Sequence, residues 1–203
     1  LLRHWDRFAD GDKQVMLRTI QDDGARVMRL VTDLLDVSWI DSKSLTLNKR
    51  PVDLARACTA QVARRVARGE SEDRFSVEVD DDLPELWADP DRLEQILTNL
   101  VDNALRHGAG QVRMMACPAD LDGDPAVLLR VCDQGDGIPV ENRELVFSRY
   151  WQGGSRAGTG IGLFLVRGLV EAHGGTVRVG EGTGGGARIE VLLPAGEPEH
   201  LRD

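Results

Sequence analysis

Six apolar residues, Leu93, Ile96, Leu97, Leu100, Val101 and Ala104, recur at three- and four-residue steps within DRLEQILTNLVDNALRHG, residues 91–108. A helix puts residues so spaced on one face, so this stretch is a helix with one side buried. Its ends are written in the flanking residues. Pro90 stands at a favoured first-turn position, Asp89 before it can cap the helix, and Gly108 stops the run. The polar side is unusual. Asn99, Asn103 and Arg106 are spaced four and then three apart and share one stripe. Asparagine is a mediocre helix former, because its amide competes for nearby backbone groups. A solvated helix face accounts for either Asn alone. Two of them with a cation shift the reading towards a polyphosphate–metal site, since amide oxygens are hard ligands suited to Mg²⁺ and a guanidinium suits phosphate.

The rest of the chain must cover that buried face. With 203 residues, 41% of them hydrophobic, it can build a core without staples. A net charge of -9 excludes a general nucleic-acid binder, though a nucleotide can still bind locally. Cys58, Cys117 and Cys132 show no metal-like spacing and read as reduced core residues of a cytoplasmic protein. Four scattered histidines suggest no zinc cluster. No apolar run reaches transmembrane length. The chain opens on Leu1 within what reads as a helix end, so we expect a fragment, with room upstream for a membrane segment or sensor domain.

Taken in order, a long helix is expected over 12–40 after a stub at 1–8. Leu17, Ile20, Gly24, Val27, Val31 and Leu34 follow heptad spacing, and Met16, Met28, Leu30 and Leu35 widen the face to suit a helical bundle. That face packs on the following domain or, the reading preferred here, on further helices from upstream or from a second subunit. Leu45 and Leu47 predict a short strand that Pro51 ends, and Asp53 can cap a helix carrying Leu54 to Val66. Strands are expected around Phe75, Val77 and Val79, over 112–117, 126–132, 176–179 and 188–193, and helices over 141–147 and 162–172. The residues from 196 on read as a disordered tail. Consecutive strands near the end predict α+β layers, with helices on one face of a mixed sheet.

Two loops could hold a ligand. Asp133-Gln134-Gly135-Asp136-Gly137-Ile138-Pro139 follows a nearly all-apolar strand expected to be central. A carboxylate there can accept from an exocyclic amine, and glycine lets backbone approach a flat ring; an ordinary turn explains the same residues. The second loop, Gly153 to Gly162, runs into a helix and offers free N–H groups to phosphate. It lacks the Lys-Ser/Thr of a P-loop, and a flexible linker fits as well. Between the loops, Phe147, Arg149, Tyr150 and Trp151 suit either a hinged lid docking through Phe147 or an aromatic-covered turn.

Together these stretches, in this order, resemble the catalytic core of sensor histidine kinases, whose ATP-binding domain shares a superfamily with Hsp90, gyrase B and MutL. The N box corresponds to Asn99–Asn103, the G1 box to Asp133–Ile138, the F box to Phe147–Tyr150 and the G2 box to Gly158–Leu163. The resemblance implies a two-layer α/β sandwich preceded by an α-helical hairpin. It implies residues 1–42 as part of a dimerisation and phosphoacceptor bundle, 43–195 as an ATP-binding catalytic domain and 196–203 as a tail. It implies ATP and Mg²⁺ as cofactors, with Asn103 a metal ligand and Asn99 and Arg106 near the phosphates. His107 falls beside the adenine, and Asp133, with Gly135, Gly137 and Ile138, falls at the adenine amine. Arg149 would assist phosphoryl transfer beside Tyr150, and Gly158, Thr159, Gly160, Ile161, Gly162 and Leu163 would close over the phosphates. The implied partners are a second copy of the chain and a response-regulator receiver domain.

Departures sharpen the reading. His107 replaces a frequent Tyr, Gln152 a frequent basic residue and Ala187 a frequent Thr or Ser, and the lid is short. A phosphoacceptor box is missing: His4 lacks its context, and the acceptor is expected upstream of Leu1. ATP-hydrolysing relatives place a Glu four residues before the metal-binding Asn; here Asn99 stands there, and an amide cannot act as base. A third possibility is a non-catalytic ATP-binding or dimerisation module.

Overall fold

The computed structural model describes residues 8–153, 159–182 and 184–197, apart from the side chains at 22, 25, 26 and 29. The chain divides into two compact units, Leu1–Lys43 and Ser44–Asp203. The first holds helix α1, Asp10–Asp41, whose acidic first turn (Asp10, Asp12) suits the positive end of the helix dipole. Lys43 ends it in a left-handed conformation, φ 52°, with its N–H on the Ile40 carbonyl. Leu17, Ile20, Val27, Val31 and Leu34, the heptad stripe, are all exposed. The stub expected at 1–8 lies outside the described residues except for Phe8.

The second unit is a two-layer α/β sandwich. Its five strands are β2 (Phe75–Val79), β4 (Val112–Leu121), β5 (Asp124–Cys132), β6 (Thr176–Glu181) and β7 (Ala187–Pro194), in the order β2-β4-β5-β7-β6. Among the described residues only β2 and β4 pair in parallel, so the sheet is mixed as expected, with β5 at its centre. Alternate residues of β4 and β7 are buried, which leaves one face for the core. Helices α2 (Leu54–Val66), α3 (Pro90–His107) and α4 (Gly162–Ala172) supply the other half of it. Leu93, Ile96, Leu97, Leu100, Val101 and Ala104, the six residues that define the periodic helix, are all in that core. The α2–α3 contact is instead polar: buried Gln61 donates to the Glu94 carbonyl and Thr98, and Arg65 pairs with Asp102 at 2.5 Å.

Three expectations need correction. The strand expected at Leu45 and Leu47 lies further on: β1 is Arg50–Val52 and pairs with β3, Leu86–Ala88, a strand the sequence reading missed. Leu45 instead packs against the core from irregular chain. Pro51 sits inside β1, tolerated because a two-stranded ribbon has only edge strands. The helix expected over 141–147 is two 3₁₀ turns, Val140–Asn142 and Leu145–Phe147. Seven residues are too few to repay helix nucleation, and the segment instead buries Val146 and Phe147. The stretch 118–125, left between the strands expected over 112–117 and 126–132, shrinks to the turn Asp122-Gly123, both at positive φ, which lets the strands run longer.

Asp89 holds the start of α3. Its Oδ1 accepts from the N–H groups of Asp91 (3.0 Å) and Arg92 (3.2 Å), and its Oδ2 accepts from Asn48 N–H (2.9 Å). Burial raises its pKa, but these backbone donors and the Arg92 charge outweigh that, so the net shift is downward from 3.8. We expect Asp89→Ala to lower unfolding free energy by about 1–2 kcal/mol in urea titrations at neutral pH. The difference from wild type should be full above pH 3.8 and close as pH falls through the lower folded value.

Candidate functional site

Three stretches of backbone meet at the C-terminal end of the central strand. Asp133 follows β5 directly and is buried. Its Oδ1 accepts from the N–H groups of Gly135 (2.9 Å) and Ala187 (3.2 Å), which fixes the rotamer and leaves Oδ2 outside these bonds. Around it the chain leaves no room for side chains. A Cβ on Gly108 would lie 2.5 Å from the Asp133 Cγ, and one on Gly135 would lie 2.7 Å from the Gly108 Cα. Gly137 has φ 71°, and a Cβ there would lie 2.5 Å from the Gly185 carbonyl oxygen. Ile138 is half-buried against the core. The position where Ala187 replaces a frequent hydroxyl residue thus grips Asp133 through backbone alone, its N–H donating to Oδ1 and its carbonyl accepting from the Asp133 N–H.

The α3 stripe meets α4 at Asn99. Asn99 and Asn103 are half-buried, and among the described residues neither amide has a hydrogen-bond partner. The ideal Cβ position of Gly162, first residue of α4, is 3.1 Å from Asn99 Oδ1. Among the described residues no side chain caps α4, although the Thr159 hydroxyl accepts from Ile161 N–H at 3.3 Å. The helix therefore presents open N–H groups and its positive dipole end beside an amide oxygen, an arrangement suited to anionic oxygens. His107 and Arg106 at the end of the stripe are exposed. Arg106 lines a cleft of about 260 Å³ with Arg65, Arg68, Glu70, Asp102 and Leu105.

The second loop is pinched at its base. Tyr150, at φ 59°, donates its N–H to the Gly160 carbonyl at 2.9 Å. Gly160 has φ 67°, and a Cβ there would fall 2.6 Å from the Tyr150 carbonyl carbon. Phe147 is buried, while the exposed Arg149 sets its guanidinium 4.7 Å over the ring of Phe164 in the first turn of α4. Leu163 packs against the core and Ile161 is buried. Gly158 lies outside the described residues. No group of three or more His, Cys, Asp or Glu able to hold a metal occurs among the described residues.

A family model described as histidine kinase-, DNA gyrase B- and HSP90-like ATPase matches residues 88–197. The chain belongs to this family. The alginate biosynthesis sensor protein KinB of Pseudomonas aeruginosa is 32% identical over 190 residues, covering 92% of this chain and 31% of KinB. Sensor histidine kinase ZraS of Escherichia coli O157:H7 is 33% identical over 187 residues, 92% of this chain and 39% of ZraS. The chain thus spans about a third of the curated relatives it matches. Among solved structures, full-length ShkA in complex with AMPPNP aligns with a TM-score of 0.73 and 30% identity over 94% of this chain and 41% of ShkA. The mycobacterial sensor histidine kinase MprB aligns at 0.58, also 30% identical, over 72% of this chain and 97% of MprB. The expected membership of the histidine kinase family is borne out, and so is the α+β fold.

The sequence reading missed one residue that ties the site helices together. His173 caps the C-terminus of α4 and is buried. Its Nε2 accepts from Asp89 N–H at 3.1 Å, while Nδ1 lies 2.8 Å from the Leu169 carbonyl, and the Lys49 ammonium donates to the His173 carbonyl at 3.1 Å. A carbonyl only accepts, so Nδ1 carries the proton and the ring is neutral. Burial lowers the His173 pKa; the Leu169 carbonyl opposes this, nearby Lys49 adds to it and Asp89 opposes it. The sequence shows His173 only as the residue before a pair of helix-ending glycines, and nothing in it pairs positions 84 apart.

Gly108 has φ -83° and ψ -176°, which any residue can adopt, so a substitution there tests steric fit alone. We expect Gly108→Ala to cost about 1–3 kcal/mol in urea unfolding as the added methyl meets both Asp133 and the Ala104 carbonyl oxygen. A cost near zero would mean that Asp133 and the last turn of α3 both give way.

Proposed function

We propose that this chain is the ATP-binding and phosphoryl-transfer core of a sensor histidine kinase, passing the γ-phosphoryl group of ATP to a histidine and thence to a receiver-domain Asp. The observation that carries the reading is the Asn99 amide set against the uncapped N-terminal turn of α4, a seat for a polyphosphate. Asp133 supports it: Oδ2 is left to accept from the adenine amine, and Gly135 and Gly137 let the ring approach backbone. Ile138 offers apolar contact, and His107 sits at the far end of the same stripe. Arg106 supplies charge towards phosphate, and residues 158–163 with Tyr150 close the site.

The donor set fits Mg²⁺ held jointly with a nucleotide. Asn103 offers one hard oxygen, and the absence of a protein cage among the described residues leaves the other positions to phosphates and water. When bound, the ion would neutralise charge on the phosphates. Arg149 is the residue that assists transfer, and its perch on Phe164 keeps a cation beside the first turn of α4. Hydrolysis is disfavoured, because the Asn99 amide cannot take a proton from water.

The exposed stripe of α1 supports assembly of residues 1–42 into a homodimeric bundle, with 43–195 as the catalytic domain and 196–203 as a tail. We place the phosphoacceptor outside these 203 residues and this portion of the protein in the cytoplasm. No described helix is long and apolar enough to cross a membrane.

Titration calorimetry with Mg²⁺ and a non-hydrolysable ATP analogue tests the site. Asn103→Asp and Asp133→Asn should each weaken binding roughly tenfold or more, ~1.4 kcal/mol, with unchanged circular dichroism. Wild-type affinity in both variants would sink the assignment. Incubated with radioactive ATP, the chain should bind without labelling; an acid-labile, base-stable label on it would overturn an acceptor outside the chain.

A further inference from the structure

Helices α3 and α4 run antiparallel, and the pair is fixed at both ends. At one end Gly162 opens α4 against Asn99; at the other, His173 closes α4 against Asp89, the N-cap of α3. The spans match: ten residues of α3 rise ~15 Å and eleven of α4 ~16 Å. A slip at the His173 end is therefore carried along α4 to the turn that faces Asn99. The joint is built for a neutral imidazole. Nδ1–H anchors to the Leu169 carbonyl of its own helix, and Nε2 is the acceptor for the buried Asp89 N–H. The charged groups facing it are the Asp89 carboxylate and the Lys49 ammonium, and Lys49 also donates to the His173 carbonyl. Asp89 is committed elsewhere, through three backbone N–H groups. Protonation of Nε2 would set a donor against a donor and break the only bond that joins His173 to α3 among those described.

We propose that His173 is a positioning residue for the nucleotide site, its Nε2–Asp89 hydrogen bond setting the register of the α4 N-terminus against Asn99 and Asn103. This rests on the nucleotide reading above. Because a displaced α4 N-terminus would lose hydrogen bonds to the phosphates, loss of the bond should be visible in binding although His173 touches no ligand.

The test compares wild type, His173→Gln and His173→Phe. Glutamine can return an acceptor near the Nε2 position without titrating; phenylalanine cannot. Two readouts are taken: calorimetric affinity for Mg²⁺ with a non-hydrolysable ATP analogue from pH 8 to pH 5, and side-chain amide resonances of Asn99 and Asn103 in nucleotide-free protein. At pH 8 His173→Gln should bind within about threefold of wild type and His173→Phe about tenfold or more weaker. As pH falls through the lowered folded value of His173, below 6.5, wild type should lose affinity faster than His173→Gln, which shares every other titrating group. The Asn99 and Asn103 resonances should shift in His173→Phe and stay in His173→Gln. Unmoved resonances together with wild-type affinity in His173→Phe overturn the proposal, as do parallel pH profiles for wild type and His173→Gln. Where His173→Phe does not fold, that pH comparison decides alone. Wild-type protein that binds no nucleotide at any pH sinks the nucleotide reading instead, and the amide resonances then judge the positioning role.

Discussion

The structure of the second unit depends on one crowded crossing, where α3 ends, β5 ends and β7 begins. Gly108, Gly135 and Gly186 bring three backbones so close around Asp133 that a methyl group on any of them would collide with the neighbouring chain. Polar groups at such a crossing must be paired within it. Asp133 meets that demand: its N–H donates to the Ala187 carbonyl, and its Oδ1 takes the N–H groups of Gly135 and Ala187. One carboxylate is thus both a structural clasp and, through Oδ2, an acceptor at the edge of the site. Mutational effects at Asp133 will mix the two roles, whereas Gly108 reports on the packing of the crossing alone.

The same economy governs α3. Its apolar face fills the core between sheet and helices, so the helix cannot rotate without exposing Leu97 or Leu100. On one flank, the buried Arg65–Asp102 pair and the Gln61 amide fix its rotation against α2. Such a pair adds little stability beyond what its desolvation costs, but it permits one registry and penalises others. The asparagine stripe lies on the remaining flank. It is positioned by interactions that involve neither Asn99 nor Asn103, which leaves both amide oxygens uncommitted among the described residues.

How much was legible in the sequence follows from the range of the interactions. The ends of α3 were legible because Asp89, Pro90 and Gly108 act on adjacent backbone. The centrality of β5 was legible because a strand covered on both sides by others and packed by helices has to be apolar. The strand expected at Leu45 and Leu47 was misplaced because alternation alone does not name a partner, and the partner, β3, is only Leu86–Ala88. The turns at 140–147 were misread because apolar spacing over seven residues fits a helix and two 3₁₀ turns equally. His173 was invisible as a tie between helices, since the N–H it accepts belongs to a residue 84 positions away and carries no side-chain signature.

The distribution of carboxylates bears on the chemistry. A residue acting as base towards a water beside Asn103 would have to sit on the stripe, within hydrogen-bond reach of the phosphates. On α3 the acidic residues are Asp91, Glu94 and Asp102. Glu94 pairs with Arg64 at 2.7 Å and Asp102 with Arg65, so both carboxylates are already engaged by cations of α2. Asp91 lies in the first turn, two turns before Asn99. Asp133 lies in the crossing, with Oδ1 already bonded twice. The stripe therefore offers ligands without a base. On the nucleotide reading proposed above, a site of that composition would hold and orient a phosphate chain and leave the proton transfer and the nucleophile to whatever group is brought against it.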